Sequence, residues 1–124
     1  MKTEKIETIN PDNYIGDECS VIKAEYIALQ HGEVLKIIGE NVELKGDDSL
    51  PEGKTLNPSA VFGLHKNKDG EIIIGEDSKL HKFLKSKNID PAKMPEYEEG
   101  LEVAILQGIK CKIQKNKNNF LDLV

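Results

Sequence analysis

Two long runs of apolar and β-branched residues dominate the first part of the chain. The first run covers residues 19–30 (CSVIKAEYIALQ), and the second covers residues 33–45 (EVLKIIGENVELK). Runs of this composition are typical of β-strands. The two-residue connector His31-Gly32 between them predicts a hairpin. Gly39 interrupts the second run and predicts a bulge or bend.

A shorter hairpin and a single helix are predicted next. Residues 59–65 (SAVFGLH) and 71–74 (EIII) are typical of two strands, and Asp69-Gly70 between them is a strong turn signal. Ser78 can then cap a helix. The apolar residues of this helix recur at the spacing i, i+3, i+4: Leu80, Phe83 and Leu84. Asp90-Pro91 predicts one further short turn.

The end of the chain returns to a strand pattern. Residues 101–114 alternate as a strand, and residues 120–124 predict a short final one. This order predicts a mainly β fold, a small OB-like antiparallel β-barrel with one α-helix between the middle hairpin and the closing strands. A curved sheet with one helix across it is the alternative. We expect residues 1–16 to form a flexible leader and residues 17–124 to form the single barrel domain.

The composition is that of one globular domain. The chain has 124 residues, of which 38% are hydrophobic and 31% are charged. No window approaches the roughly 18 apolar residues of a membrane helix, and no apolar signal region follows Met1. We therefore expect a cytoplasmic protein without a membrane partner. Cys19 and Cys111 are expected to be reduced, partly buried thiols, with a disulfide between them as the alternative.

The sequence contains no complete motif of a common enzyme class. Gly53-Lys54-Thr55 is similar to the end of a phosphate-binding loop, but Gly46 precedes it by six intervening residues instead of four, and Pro58 would break the helix that must follow. The histidines and cysteines lack the spacing of zinc ligands. The sequence therefore predicts a protein that is not an enzyme and has no metal or other cofactor.

Positive charge is concentrated in the second half of an acidic chain. The formal net charge is −5, and all seventeen basic residues are lysines. Residues 79–93 contain five lysines and one acid, and residues 107–119 contain four lysines and no acid. Such runs are most often solvated faces, but they can also form a groove that follows a phosphate backbone. Lysine without arginine favours backbone attraction over base-specific recognition.

Three segments carry a resemblance to a known class of proteins. Residues 16–46 (GDECSVIKAEYIALQHGEVLKIIGENVELKG) resemble the opening hairpin of small phage-encoded and archaeal single-stranded DNA-binding proteins with OB-like barrels. Residues 77–90 (DSKLHKFLKSKNID) and 101–124 (LEVAILQGIKCKIQKNKNNFLDLV) resemble their helix and closing strands. The resemblance implies binding of single-stranded DNA or RNA without sequence preference. Replication proteins and a second copy of the chain are further partners left open by this interpretation.

The implied binding positions are aromatic and basic side chains of the sheet face and the hairpin turns. They are Tyr26, His31, Phe62, His65, Lys66, Lys68, Lys110, Lys112, Lys115, Lys117 and Phe120. The main rival is a protein-interaction or structural module, such as a virion or replisome accessory, whose lysines keep strand edges soluble. A small-molecule-binding barrel is a third hypothesis.

Overall fold

The computed structural model describes residues 8–124 as a mainly β protein with one α-helix. The elements in chain order are β1 (Glu18–Leu29), β2 (Gly32–Gly39), β3 (Ser59–Gly63), β4 (His65–Lys66), β5 (Ile72–Ile73), α1 (Lys79–Ser86), β6 (Lys110–Lys115) and β7 (Leu121–Leu123). Short 3-10 turns occur at Pro11–Asn13, Pro91–Lys93 and Ala104–Leu106. The helix lies where the sequence predicts it, between the middle hairpin and the closing strands. Among the described residues, no helix combines the length and apolar character needed to span a membrane.

Five strands form one antiparallel sheet in the order β3-β2-β1-β6-β7. β1 connects its two halves, because the end of β1 pairs with β2 and its start pairs with β6, where Glu18 lies opposite Lys112. The sheet is not closed into the predicted barrel; β3 and β7 form its edges. β4 and β5 pair only with each other, as a separate two-stranded sheet.

The core lies between the inner face of this sheet and α1. Ser78 caps the helix as predicted, since its hydroxyl accepts a hydrogen bond from the backbone N–H of His81 at 3.1 Å. Leu80, Phe83 and Leu84 are all buried. The Phe83 ring packs against Phe62 of β3 with 4.9 Å between ring centroids. The helix is thereby fixed against the β3 side of the sheet.

Gly39 lies in a closely packed part of the first hairpin. A Cβ atom on Gly39 would lie 2.5 Å from Cys19 Sγ and 3.1 Å from the backbone oxygen of Pro58. The expected bulge is not at Gly39 itself, which ends β2; the register shifts in the facing strand, between Val21 and Lys23. Cys19 and Cys111 lie directly opposite each other as free thiols. Burial raises the pKa of both, so they are neutral at pH 7.

Packing of the chain begins before residue 17. Tyr14 is fully buried, and its hydroxyl donates a 2.6 Å hydrogen bond to Asp48 while accepting one from the Lys45 backbone N–H at 3.0 Å. The bond from Tyr14 holds the pKa of Asp48 below its ordinary value. Residues 8–16 of the predicted leader therefore include part of the core, and residues 1–7 lie outside the described residues.

Two predicted strands are shorter in the structure. The second run ends as a strand at Gly39, and the chain beyond it is held by a hydrogen bond from the Val42 N–H to the Leu56 oxygen at 2.7 Å. Residues 101–114 form a strand only from Lys110, because Gly108 has φ +84° and a 3-10 turn precedes it. A residue with positive φ does not continue an extended strand.

Candidate nucleic-acid interface

Lysines from both clusters of the sequence meet on one side of the molecule, while Lys85 lies beside the β4–β5 hairpin. Lys79, the first residue of α1, places its Nζ atom 3.5 Å from Asp122 Oδ2 on β7. Lys87, just after the helix, donates to the backbone oxygens of Lys110 at 2.9 Å and Val124 at 3.2 Å. These contacts bring the helix to the β6–β7 hairpin. We call the following seven side chains the lysine surface: Lys79, Lys82, Lys87, Lys110, Lys112, Lys115 and Lys117.

Strand alternation directs two of the three β6 lysines, Lys110 and Lys112, outward. Cys111 and Ile113 are buried, whereas Lys110 and Lys112 between and beside them are exposed. Lys117 is exposed in the turn that joins β6 to β7. Lys110 and Lys112 therefore share the outward face of β6, whereas Lys115 belongs by alternation to the face of Cys111 and Ile113 and pairs there with Asp12.

Three members of the lysine surface have an acidic partner. Besides Lys79 with Asp122, Lys115 lies 2.9 Å from Asp12, and the Nζ atom of Lys110 lies 3.8 Å from Glu18. Within residues 8–124, no ion pair involves the other four lysines: Lys82, Lys87, Lys112 and Lys117. Exposed pairs such as Lys110 with Glu18 are weak in water, so most of the positive charge is available to an anionic ligand.

Asp122 is the buried acid that joins the helix to the hairpin. Its Oδ1 accepts the Leu123 N–H at 2.9 Å, and its Oδ2 accepts from Gln114 Nε2 at 3.3 Å. The ammonium group of Lys79 also lies 5.3 Å from the centroid of the Phe62 ring. Lys79 is therefore held between a carboxylate and an aromatic face, which fixes the start of α1 beside β7.

Two of the three aromatic residues predicted to stack on bases are buried, so the prediction is wrong for them. Tyr26 is 3% exposed, with its hydroxyl bonded to the Pro95 oxygen at 3.0 Å, and Phe62 is 1% exposed against Phe83. Both side chains point to the inner face of the sheet, where a base cannot stack on them. Phe120 differs, because 68% of it is exposed in the β6–β7 turn beside Lys117.

Four other predicted positions lie away from the lysine surface. His31 is in the β1–β2 turn, at the opposite end of β1 from the segment that pairs with β6. His65, Lys66 and Lys68 belong to the separate β4–β5 hairpin. Lys66 forms a 2.9 Å ion pair with Glu33, and this contact lowers the pKa of Glu33 and raises that of Lys66. No hydrogen bond or ion pair among residues 8–124 connects this hairpin to β6 or β7.

The predicted site omitted the lysines contributed by the helix. Lys79, Lys82 and Lys87 belong to the charge cluster at residues 79–93, which the sequence does reveal. Lys79 and Lys82 have the spacing i, i+3, so they are neighbours on one flank of the helix. That spacing is a usable signal, but only the packing of α1 shows that this flank faces the closing hairpin.

The structure shows no metal-binding cluster among residues 8–124. No family model, no curated protein and no solved structure matches this chain. Support for a function therefore comes from the geometry and charge of the molecule itself.

Proposed function

We propose that this protein binds single-stranded nucleic acid without sequence preference, through the lysine surface. The observation that carries the proposal is that lysines from both clusters meet on the α1 and β6–β7 side, where Lys79 and Lys87 contact the closing strands. A strand of phosphates can meet several of these ammonium groups at once. Local potential rather than net charge governs such an encounter, so the overall charge of −5 does not oppose it.

We also propose an OB-like arrangement for the sheet. The order β3-β2-β1-β6-β7, with the helix placed before β6, supports it. The edge strands β3 and β7 contact each other without forming a hydrogen-bonded pair, as in a partly open five-stranded barrel. Leu123 of β7 also approaches Gly39 at the end of β2. OB-like barrels are a common support for oligonucleotide binding.

A matched pair of charge reversals tests the proposal. Lys117 and Lys68 are both exposed lysines near hairpin turns, and neither forms an ion pair within the described part of the chain. Lys117→Glu should weaken binding of a labelled oligothymidine about tenfold at low salt, equivalent to about 1.4 kcal/mol. Lys68→Glu makes the same change in net charge outside the lysine surface and should leave affinity within about twofold of the unmodified protein. Equal losses in the two variants, measured by fluorescence anisotropy, would contradict the proposed location.

Apolar side chains on the outer sheet face support a second candidate, a protein-interaction module. Ile22 is 53% exposed on β1 and Val61 is 46% exposed on β3, and Ile38 lies partly exposed on β2 between these strands. Ile22 and Ile38 line a shallow groove that Lys23 and Lys36 also border. An apolar partner docked there would bind with little dependence on salt, in contrast to a phosphate backbone.

A further inference from the structure

An open groove lies directly beside the lysine surface, at the β6–β7 turn. Its volume is about 700 Å³, which is within the range of about 300–1,000 Å³ typical of small-molecule sites. Its walls come from three separate segments of the chain: Ile9 and Pro11, residues 56–59, and residues 119–121. We call it the Phe120 groove.

Phe120 gives this groove an aromatic wall that the core does not use. Its side chain is more exposed than any other large hydrophobic residue of the described chain, at 68%. The turn holds it in place, because the Asn116 side-chain oxygen accepts the Phe120 N–H at 3.1 Å and the Asn116 N–H donates to the Phe120 oxygen at 2.9 Å. Exposing an aromatic ring to water is unfavourable, and a flat ligand face would cover it.

The groove also contains an unused amide group. Asn119 has φ +64°, a conformation that asparagine tolerates better than most residues. Its backbone N–H bonds the Asn116 oxygen at 3.1 Å, but its side chain forms no hydrogen bond with any residue from 8 to 124. An amide can both donate and accept, which suits the edge of a nucleobase.

One cationic side chain, Lys115, lies at the edge of the groove. Lys115 and Lys117 precede Phe120 in the same hairpin. Lys115 also forms its ion pair with Asp12, the residue that follows Pro11 of the groove wall. A base lying against Phe120 would therefore have the Lys115 ammonium group near its backbone.

We propose that the Phe120 groove receives one unstacked nucleobase of the bound strand, with its face on the Phe120 ring and its edge at the Asn119 amide. The proposal rests on the function proposed above and adds a specific contact to it. It explains why an aromatic ring is exposed next to the lysines, and it predicts a preference for strands whose bases are free to leave a stack.

The test compares two probes, a labelled oligothymidine and an abasic strand of the same length. Phe120→Ala should weaken binding of oligothymidine about tenfold or more but leave the weaker binding of the abasic strand unchanged. Phe120→Trp should restore most of the affinity for oligothymidine. Asn119→Gly, which suits the positive φ, should weaken oligothymidine binding about threefold. Leu29→Ala, an exposed apolar residue at the far end of β1, is the control and should have no effect.

The outcomes separate this proposal from the proposed function. Salt-sensitive binding that is equal for both probes and unaffected by Phe120→Ala would overturn the groove and leave the lysine surface intact. Failure of the unmodified protein to bind either probe at low salt would overturn both. An Asn119→Gly variant with unchanged affinity would overturn the contact to the base edge.

Discussion

Gly39 shows how one missing side chain permits the packing of three segments. The end of β2, the Cys19 thiol of β1 and the backbone at Pro58 meet there, with no room for a Cβ atom. Gly63, on the neighbouring strand β3, has nothing within 4 Å of the same position. Neither glycine has a positive φ, so the difference between them is one of space.

Substitution of these two glycines should therefore give different results. Gly39→Ala should lower the free energy of unfolding by about 1–3 kcal/mol because it overpacks the site. Gly63→Ala should change it by less than about 0.5 kcal/mol. Adding Cys19→Ala to Gly39→Ala removes the closest clashing atom, so the double variant should lose less than the sum of the two single losses. Urea denaturation measures the unmodified protein, the three single variants and the double variant, and equal stability of Gly39→Ala and Gly63→Ala would contradict this account.

Burial of individual aromatic residues was not predictable from the sequence. Tyr26 and Phe62 lie in strands whose alternation is clear, but alternation alone does not say which face becomes the core. The helix decides this, since Phe83 packs on Phe62. Phe120 follows a run of polar turn residues and is exposed, and its contact with a ligand stays a prediction.

At the scale of elements, the β6–β7 hairpin combines a structural and an electrostatic role. One face of β6 supplies Cys111 and Ile113 to the core, while Lys110 and Lys112 face solvent. The last lysine of strand β6, Lys115, is partly neutralised by Asp12 from the turn at Pro11–Asn13. This ion pair reduces the positive potential next to the Phe120 groove.

Removal of that acid should strengthen nucleic-acid binding. Asp12→Asn frees Lys115 for a phosphate and should increase affinity for oligothymidine about threefold at low salt. Glu71→Gln, at the distant β4–β5 hairpin, makes the same change in net charge and serves as the control. Anisotropy titrations of both variants decide the point: a similar gain for Glu71→Gln would indicate a general charge effect, and a weaker Asp12→Asn complex would contradict the role given to Lys115.

Local signals predicted some elements well and others poorly. The helix was predicted because Ser78 and the spacing of Leu80, Phe83 and Leu84 agree with one another. The strand predicted at residues 101–114 is too long. Residues Ala104–Leu106 form a 3-10 turn instead of an extended strand, and it is this turn that directs Leu106 into the core. The predicted middle hairpin is divided in the structure. β3 pairs with β2, whereas β4 pairs with β5. The local pattern of residues does not reveal these partners.

At the scale of the whole molecule, the fold brings together lysines from two clusters that lie apart in the sequence. Residues 1–60 carry six lysines and twelve acids, whereas residues 61–124 carry eleven lysines and ten acids. The sequence identifies the two lysine clusters of the second half. Their convergence could not be predicted, because it depends on where α1 lies relative to β7. The contacts of Lys79 and Lys87 with the closing strands provide that information.

The salt dependence of binding tests the central claim most directly. Oligothymidine affinity should be measured by anisotropy between about 50 and 200 mM salt, with duplex DNA as a competitor. Each phosphate neutralised on a single strand contributes about −0.7 to the slope of log K against log salt, so four lysines free of acidic partners predict a slope of about −3. Duplex DNA should compete weakly. A slope near zero, or no binding at the lowest salt, would contradict the claim that the lysine surface binds a phosphate backbone.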